Sequence, residues 1–396
     1  MATPTQTPFK VIVFGPTGQV GSATAIAAAK ATTAAATAAT AAATAATAEE
    51  VILAMRDVTK PLPACFRAFQ DSFPGFPDFK RVQADLSDPR SVYEAVASFG
   101  GSVKRAFVYG VEKTKPSRTD PSGIGGGEDT ETEKEEEEEE EEEDYMLSAF
   151  QALRQAGVDF VVLLSGYALQ GSAEEVVARH DNDDTREEEK DIIGYGHARQ
   201  ELSLRKAFFG SPSNSVAIRA GYFASNTLIW RRAILSGKKE IKLKLKAPFT
   251  AKFDFVSTGD VGAVCGTILA NNNGLPSQKG NIIMVPDSNA MEIVGPELLT
   301  QSQAVEAIAD AIGRGGDLVV EEAVEEREVL DMYMQMGIPL GVARHVSDIL
   351  GRRADGSDGW YREPAFGLSA GNVEAVLGRK GKRFREWALE NRDLFL

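Results

Sequence analysis

The chain has 396 residues, 43% hydrophobic and 26% charged, enough to bury a sizeable core in one elaborated α/β domain or in two or three smaller ones. Its net charge of −15 is local: Glu128 to Asp144 holds 14 acidic residues against Lys134, and the rest of the chain is close to neutral. A nucleic-acid-binding stripe and an anionic membrane surface are therefore disfavoured, since the patch Lys238, Lys239, Lys242, Lys244 and Lys246 is too short to reverse the balance.

Met1 to Lys10 has no basic region followed by an apolar one, and no later stretch reaches the ~18 apolar residues of a spanning helix. A soluble, cytoplasmic protein is expected. Val11 to Phe14 is a short apolar run that stops at a glycine turn, and Val20 and Ile26 then open a small-residue helix. Further strand-like runs are Val51 to Met55, Lys80 to Gln83, Arg105 to Gly110 and Phe160 to Ser165, with helical patterns over Asp88 to Phe99 and Tyr145 to Ala156. Strands alternating with helices predict a Rossmann-type, doubly wound parallel sheet, residues 8–235, with a smaller C-terminal α/β subdomain, residues 236–396, interleaved with it.

Three segments interrupt the pattern: the Ala/Thr tract 31–48, the acidic stretch 114–144 and the polar stretch 171–190. All three are read as surface insertions, the first also able to lengthen its helix. Beyond them, Ser215 to Phe223 reads as a strand and Asp260 to Ala270 as an apolar helix. Ile241 to Lys246 alternates as a half-exposed strand, and Thr300-x-x-Gln303 caps a helix that ends at Gly313. Phe384, Trp387 and Ala388 form a packed helix face. Cys65 and Cys265 read as buried free thiols, and His180, His197 and His345 lack metal-ligand spacing, so no metal site is expected.

Gly15-Pro-Thr17-Gly18-Gln19-Val20-Gly21 follows a strand and opens a helix. In that context the glycines let backbone approach a pyrophosphate, whose charge faces the helix N-terminus. Arg56, at the end of the second strand, favours the 2′-phosphate of NADP over the free ribose of NAD, unless it is a loop charge paired with Asp57. After the third strand, Asp85 and Leu86 border the adenine, with Asp85 either accepting from its amino group or capping the helix near Asp88. Tyr109 and Gly110, ending the fourth strand, line the cofactor cleft, and Phe223 and Asn226 are candidates for its other wall.

The glycine turn, Ile218 to Asn226, Phe255 to Gly262, and Gly295 to Thr300 with its helix ending at Arg314 resemble the NmrA-like family of atypical short-chain dehydrogenases, related to isoflavone reductases. The resemblance covers most of the chain outside the insertions. It implies NADP(H), a cleft between the Rossmann domain and the C-terminal subdomain, and in some members dinucleotide binding without turnover. Short-chain dehydrogenases place a tyrosine and, four residues later, a lysine on the helix after the fifth strand. Here Tyr195 and Arg199 keep that spacing. Alternatively, if Glu201 matches the family's helix glutamate, His197 takes the lysine's place. Ser165 resembles the substrate-orienting serine, or else ends its strand by bonding its own backbone. The expected function is an NADPH-dependent reductase of a small, largely apolar carbonyl, imine or conjugated alkene, in secondary metabolism. The alternative is a non-catalytic NADP(H)-binding redox sensor that acts on a partner protein.

Overall fold

The computed structural model describes residues 9–38, 48–110, 144–182, 192–208, 214–236, 241–245, 250–271, 282–286, 288–322, 326–335, 340, 343–344, 361 and 364–396. The acidic stretch up to Glu143, His345 and the lysines Lys238, Lys239 and Lys246 lie outside those residues.

In chain order the elements are β1 (Phe9–Phe14), α1 (Gln19–Ala38), β2 (Ala48–Met55), α2 (Ala64–Ser72), β3 (Lys80–Gln83), α3 (Pro89–Ala97), β4 (Val103–Tyr109) and α4 (Tyr145–Gln155). Next come β5 (Phe160–Gly166), α5 (Ala173–Asp181), α6 (Ile192–Ala207) and β6 (Ser215–Ala220). A 3-10 segment, Ala224–Trp230, and α7 (Arg231–Ile234) lead to β7 (Ile241–Leu245), β8 (Lys252–Phe253), α8 (Thr258–Ala270) and β9 (Ala290–Ile293). The chain continues through β10 (Leu299–Thr300), α9 (Gln301–Ala311), β11 (Leu318–Glu322), α10 (Glu326–Gln335), α11 (Ala365–Ala370), α12 (Asn372–Leu377) and α13 (Phe384–Glu390).

Seven strands form one parallel sheet in the order β3-β2-β1-β4-β5-β6-β9, the Rossmann-like α/β fold expected. The chain order reverses between β1 and β4, where open α/β sheets place ligands. Successive residues of each strand feed opposite cores: Val11, Val13, Leu53 and Val162 pack with α1 and α8, and Ile12, Phe14, Ile52 and Leu163 with α3, α4 and α6. Covered on both faces, the strands show no polar alternation.

The small residues of α1 have a packing reason. A Cβ on Gly262 would overlap Ala23 Cβ and approach Val20 O to 2.8 Å, and one on Gly266 would overlap Thr24 O. The two helices therefore touch nearly backbone to backbone. At the far end of α8, Arg105 donates to the Ile268 and Asn271 carbonyls and lies between the rings of Phe9 and Phe160. Burial lowers its pKa to about 10.

The C-terminal part shares this architecture while building its own core. Helix α8 and strand β9 belong to the main sheet's layers, and Asn372 ties α12 to them by accepting from Ile283 N and donating to Ile283 O and Glu292 O. A second lobe gathers Trp230, Phe253, Phe255, Val305, Ile308, Phe384 and Trp387, with β8 pairing β10 and β7 pairing β11. The Thr300/Gln303 capping box opens α9.

Three readings change. The polar stretch from residue 171 begins with a helix: Ser172 and Glu175 form a capping box, and Ala173 and Val176 pack on Leu169 and Ala198. Its short apolar side gave little periodicity to detect. Strand β6 stops at Ala220: Gly221 N makes the last ladder bond to β9, at Ile293 O, and Tyr222 N turns instead to Asp254 Oδ1. Cys65 is exposed, since α2 turns Phe66 and Phe69 inward, whereas Cys265 is buried. The Ala/Thr tract, by contrast, lengthens α1 as expected, the described part of the helix running to Ala38. Gly262→Val should strain the α1–α8 contact, with an expected loss of roughly 1–3 kcal/mol in equilibrium denaturation; an unchanged midpoint would show that the helices can separate without cost.

Candidate functional site

Each glycine of the turn meets a different demand. Gly15 has φ +66°, and a Cβ there would lie 2.5 Å from Tyr109 Cε1. Gly21 packs on the Gly15 carbonyl so closely that any side chain would overlap it. Gly18 is exposed, and its nearest neighbour, Gly15 O, would sit at an ordinary 3.4 Å from a Cβ. Among the described residues nothing crowds position 18, which leaves room for a group docking against the N-terminus of α1, as a pyrophosphate does. Thr17 is exposed at the rim, Val20 is buried beneath it, and Gln19 Oε1 accepts from Thr258 Oγ1 at 3.2 Å.

Beside the turn, on the β2–β3 side, lies a small open cleft of about 80 Å3. It is lined by Gly15, Pro16 and Thr17, by Met55, Arg56, Asp57 and Lys60 after β2, by Ala84 and Leu86 after β3, and by Tyr109. Arg56 makes no ion pair among the described residues. Asp57 instead accepts from Thr59 N at 2.9 Å and Thr59 Oγ1 at 2.5 Å, which holds its carboxyl below the usual range. Lys60 joins Arg56 because this turn folds the loop back; its only sequence signal was the spacing Arg56-x-x-x-Lys60. Asp85 accepts from Ser87 N and Oγ rather than capping α3, a role taken by Asp88. Its neighbours Ala84 and Leu86 line the cleft; Asp85 does not.

The proton-donor candidates separate onto two faces of α6. Tyr195 stacks on His180 of α5, with ring centroids 3.7 Å apart, and the Arg199 guanidinium lies 5.8 Å from the Tyr195 ring centroid. Burial raises the Tyr195 pKa; Arg199 opposes the rise and Asp181 adds to it. The opposite face meets the sheet. His197 Nε2 packs against Gly166 at the end of β5, and the Gln200 amide against Gly110 after β4. Glu201 accepts from Ser165 Oγ at 2.7 Å and grips Arg219 through Nε–Oε1 at 2.9 Å and Nη2–Oε2 at 2.8 Å. Ser165 is thus neither aimed at a substrate nor bonded to its own backbone: it is 3% exposed and serves Glu201.

Phe223 bridges to Val256 and packs on the sheet core, and Asn226 is exposed on the 3-10 segment; neither lines the cleft. Sequence reading passed over Asp254, a buried carboxylate that accepts from Tyr222 N, Gly295 N and Tyr361 Oη. Burial pushes its pKa up against those hydrogen bonds. Gly221 and Gly295 leave room for it, and the next residue, Phe255, is held at φ +41°.

Glu201→Gln should cost roughly 3–5 kcal/mol by leaving the Arg219 guanidinium buried without its counter-charge. Ser165→Ala should cost less, about 1–3 kcal/mol, because the ion pair survives. Urea denaturation of both variants checks the order, and equal losses would contradict it.

No protein-family model matches the chain. Nitrogen metabolite regulation-like protein bik4 of Gibberella fujikuroi is 27% identical over 383 residues, 96% of this chain and 95% of that protein. Among solved structures, triphenylmethane reductase of Citrobacter sp. superposes with a TM-score of 0.56 at 14% identity, covering 96% of this chain and all of the other; the same enzyme is also known complexed with NADP(H). The NADPH-dependent quinone oxidoreductase QOR2 of Escherichia coli, complexed with NADPH, superposes with a TM-score of 0.54 at 15% identity, covering 96% of this chain and 99% of that one. At such identities the structural likeness shows the fold.

Proposed function

We propose that this NmrA-like chain, of the extended short-chain dehydrogenase/reductase type, is an NADPH-dependent oxidoreductase acting on a small, largely apolar organic substrate. One observation carries the reading: Arg56 and Lys60, which follow β2, line one cleft with Gly15, Pro16 and Thr17 of the turn that opens α1. A pyrophosphate at the α1 N-terminus and a 2′-phosphate between the two cations would satisfy both features. The NADP(H) complexes of the two structural relatives support the same cofactor.

NADPH held by the glycine turn, Arg56 and Lys60 would bring hydride-transfer chemistry to the site. The chain must then deliver a proton to the reduced substrate. His197 suits that task, because it stands at the C-terminal end of β5 and imidazole exchanges protons near neutral pH. Tyr195 suits it poorly: it faces α5, and its raised pKa is the opposite of the tuning a tyrosine donor needs. Carbonyls, conjugated alkenes and imines all fit this chemistry. The likeness to the nitrogen metabolite regulation-like protein bik4 favours a second reading, a regulator that binds the dinucleotide without turning it over.

Isothermal titration should give tighter binding of NADPH than of NADH, and Arg56→Ala should narrow the gap by about 1.5–3 kcal/mol; equal affinities in the parent would remove the NADPH assignment. In single-turnover oxidation of bound NADPH by quinones, enones, aldehydes and imines, His197→Gln should slow the reaction at least ~10-fold, with Tyr195→Phe near the parental rate. Tight NADPH binding with no oxidation by any of these would favour the regulator.

A further inference from the structure

Two neighbouring strands end in glycines where α6 leans over them. A side chain on Gly110, after β4, would overlap the Gln200 amide, and one on Gly166, closing β5, would overlap the His197 imidazole. Gln200 and His197 lie one helical turn apart on the face that also carries Glu201, and the Glu201–Arg219 pair fixes that face against β5 and β6. Gln200 is 7% exposed, and its Oε1 is fully buried without a hydrogen-bond partner. Buried amide oxygens are normally paired in folded proteins, and an unpaired one calls for an explanation such as a missing ligand.

The sheet topology indicates which ligand. In the order β3-β2-β1-β4-β5, Arg56 and Lys60 stand on the β2 side of the glycine turn. A dinucleotide with its 2′-phosphate there and its pyrophosphate at α1 must run past Tyr109 and lay its other nucleoside over the ends of β4 and β5. Those ends are Gly110 and Gly166. Resting on the NADPH reading, we propose that the Gln200 amide anchors the nicotinamide-riboside half of the cofactor. The amide suits this part because it both donates and accepts, matching the hydroxyls and carboxamide of that half. Gln200 then binds the cofactor directly, holding the ring beside His197, and its amide turns away from Gly110 for the buried oxygen to meet its partner in the complex.

The test uses the full-length chain and Gln200→Met, which keeps length and removes both polar atoms. Two probes are titrated: NADPH, and 2′,5′-ADP, which carries the phosphate end but no nicotinamide riboside. NADPH should bind about 5–30-fold more weakly to the variant, 2′,5′-ADP should bind within twofold of the parent, and the thermal midpoint of the ligand-free variant should be unchanged or higher, because an unsatisfied polar group has been removed. Unchanged NADPH affinity would overturn the Gln200 assignment and leave the cofactor reading standing. Equal weakening of both probes with a lowered midpoint would mean a structural role and would overturn it too. If the parent binds neither probe, the cofactor reading itself fails, and the assignment with it.

Discussion

The candidate site depends on a charge buried in the wall behind it. Arg219 is fully buried, and a guanidinium removed from water is tolerable only if its donors are met. Nε and Nη2 meet the Glu201 carboxylate, and Nη1 meets the carbonyls of Leu169 and Gly171. One side chain of β6 thereby fixes the rotation of α6, the path of the chain leaving β5 and the start of α5. Ser165 adds its hydroxyl to the same carboxylate. The pair is better understood as a device that selects one arrangement than as a large source of stability, because desolvating both ions offsets much of their attraction.

A second constraint acts from the other face of the sheet. The close approach of α1 and α8 brings the N-terminus of α8 beside the glycine turn, where Thr258 Oγ1 reaches Gln19. Asp260, buried two residues on, accepts from Arg379 Nη2 and Lys382 N and so ties the last part of the chain to the same helix. Residues more than 350 positions from Gly15 in sequence thus help hold α1 and its glycine turn in place. This is why the C-terminal part is interleaved with the sheet: its own aromatic core packs on one side, and α8, β9 and α12 complete the Rossmann layers on the other.

Much of this was legible in the sequence because its signals are local. Val11 to Phe14 running into Gly15, and the unbroken apolar run from Phe160, report strands covered on both faces, and the Thr300/Gln303 cap marks its helix start within a few residues. What escaped depends on contacts between distant residues. Lys60 reaches the cleft only because Asp57 folds the loop through Thr59. Asp254 has meaning only once Gly221 and Gly295, 33 and 41 positions away, have left it space. Ser165 was recognisable as the residue ending β5, but its partner is 36 positions further on.

The ambiguity on α6 is resolved by helix geometry. Tyr195–Arg199 and His197–Glu201 have the same four-residue spacing, so spacing alone cannot choose between them. A shift of two residues along an α-helix is a rotation of about 200°, however, so the two pairs must look in nearly opposite directions and only one can face the sheet. Glu201 settles which, because its carboxylate is the counter-charge of Arg219 in β6 and cannot turn outward without stranding a buried guanidinium. With Glu201 facing inward, His197 comes to the end of β5, while Tyr195 turns toward α5 and stacks on His180, with Arg199 over the Tyr195 ring. The tyrosine-first alignment preserved a motif's spacing, but the ion pair determines where each side chain points.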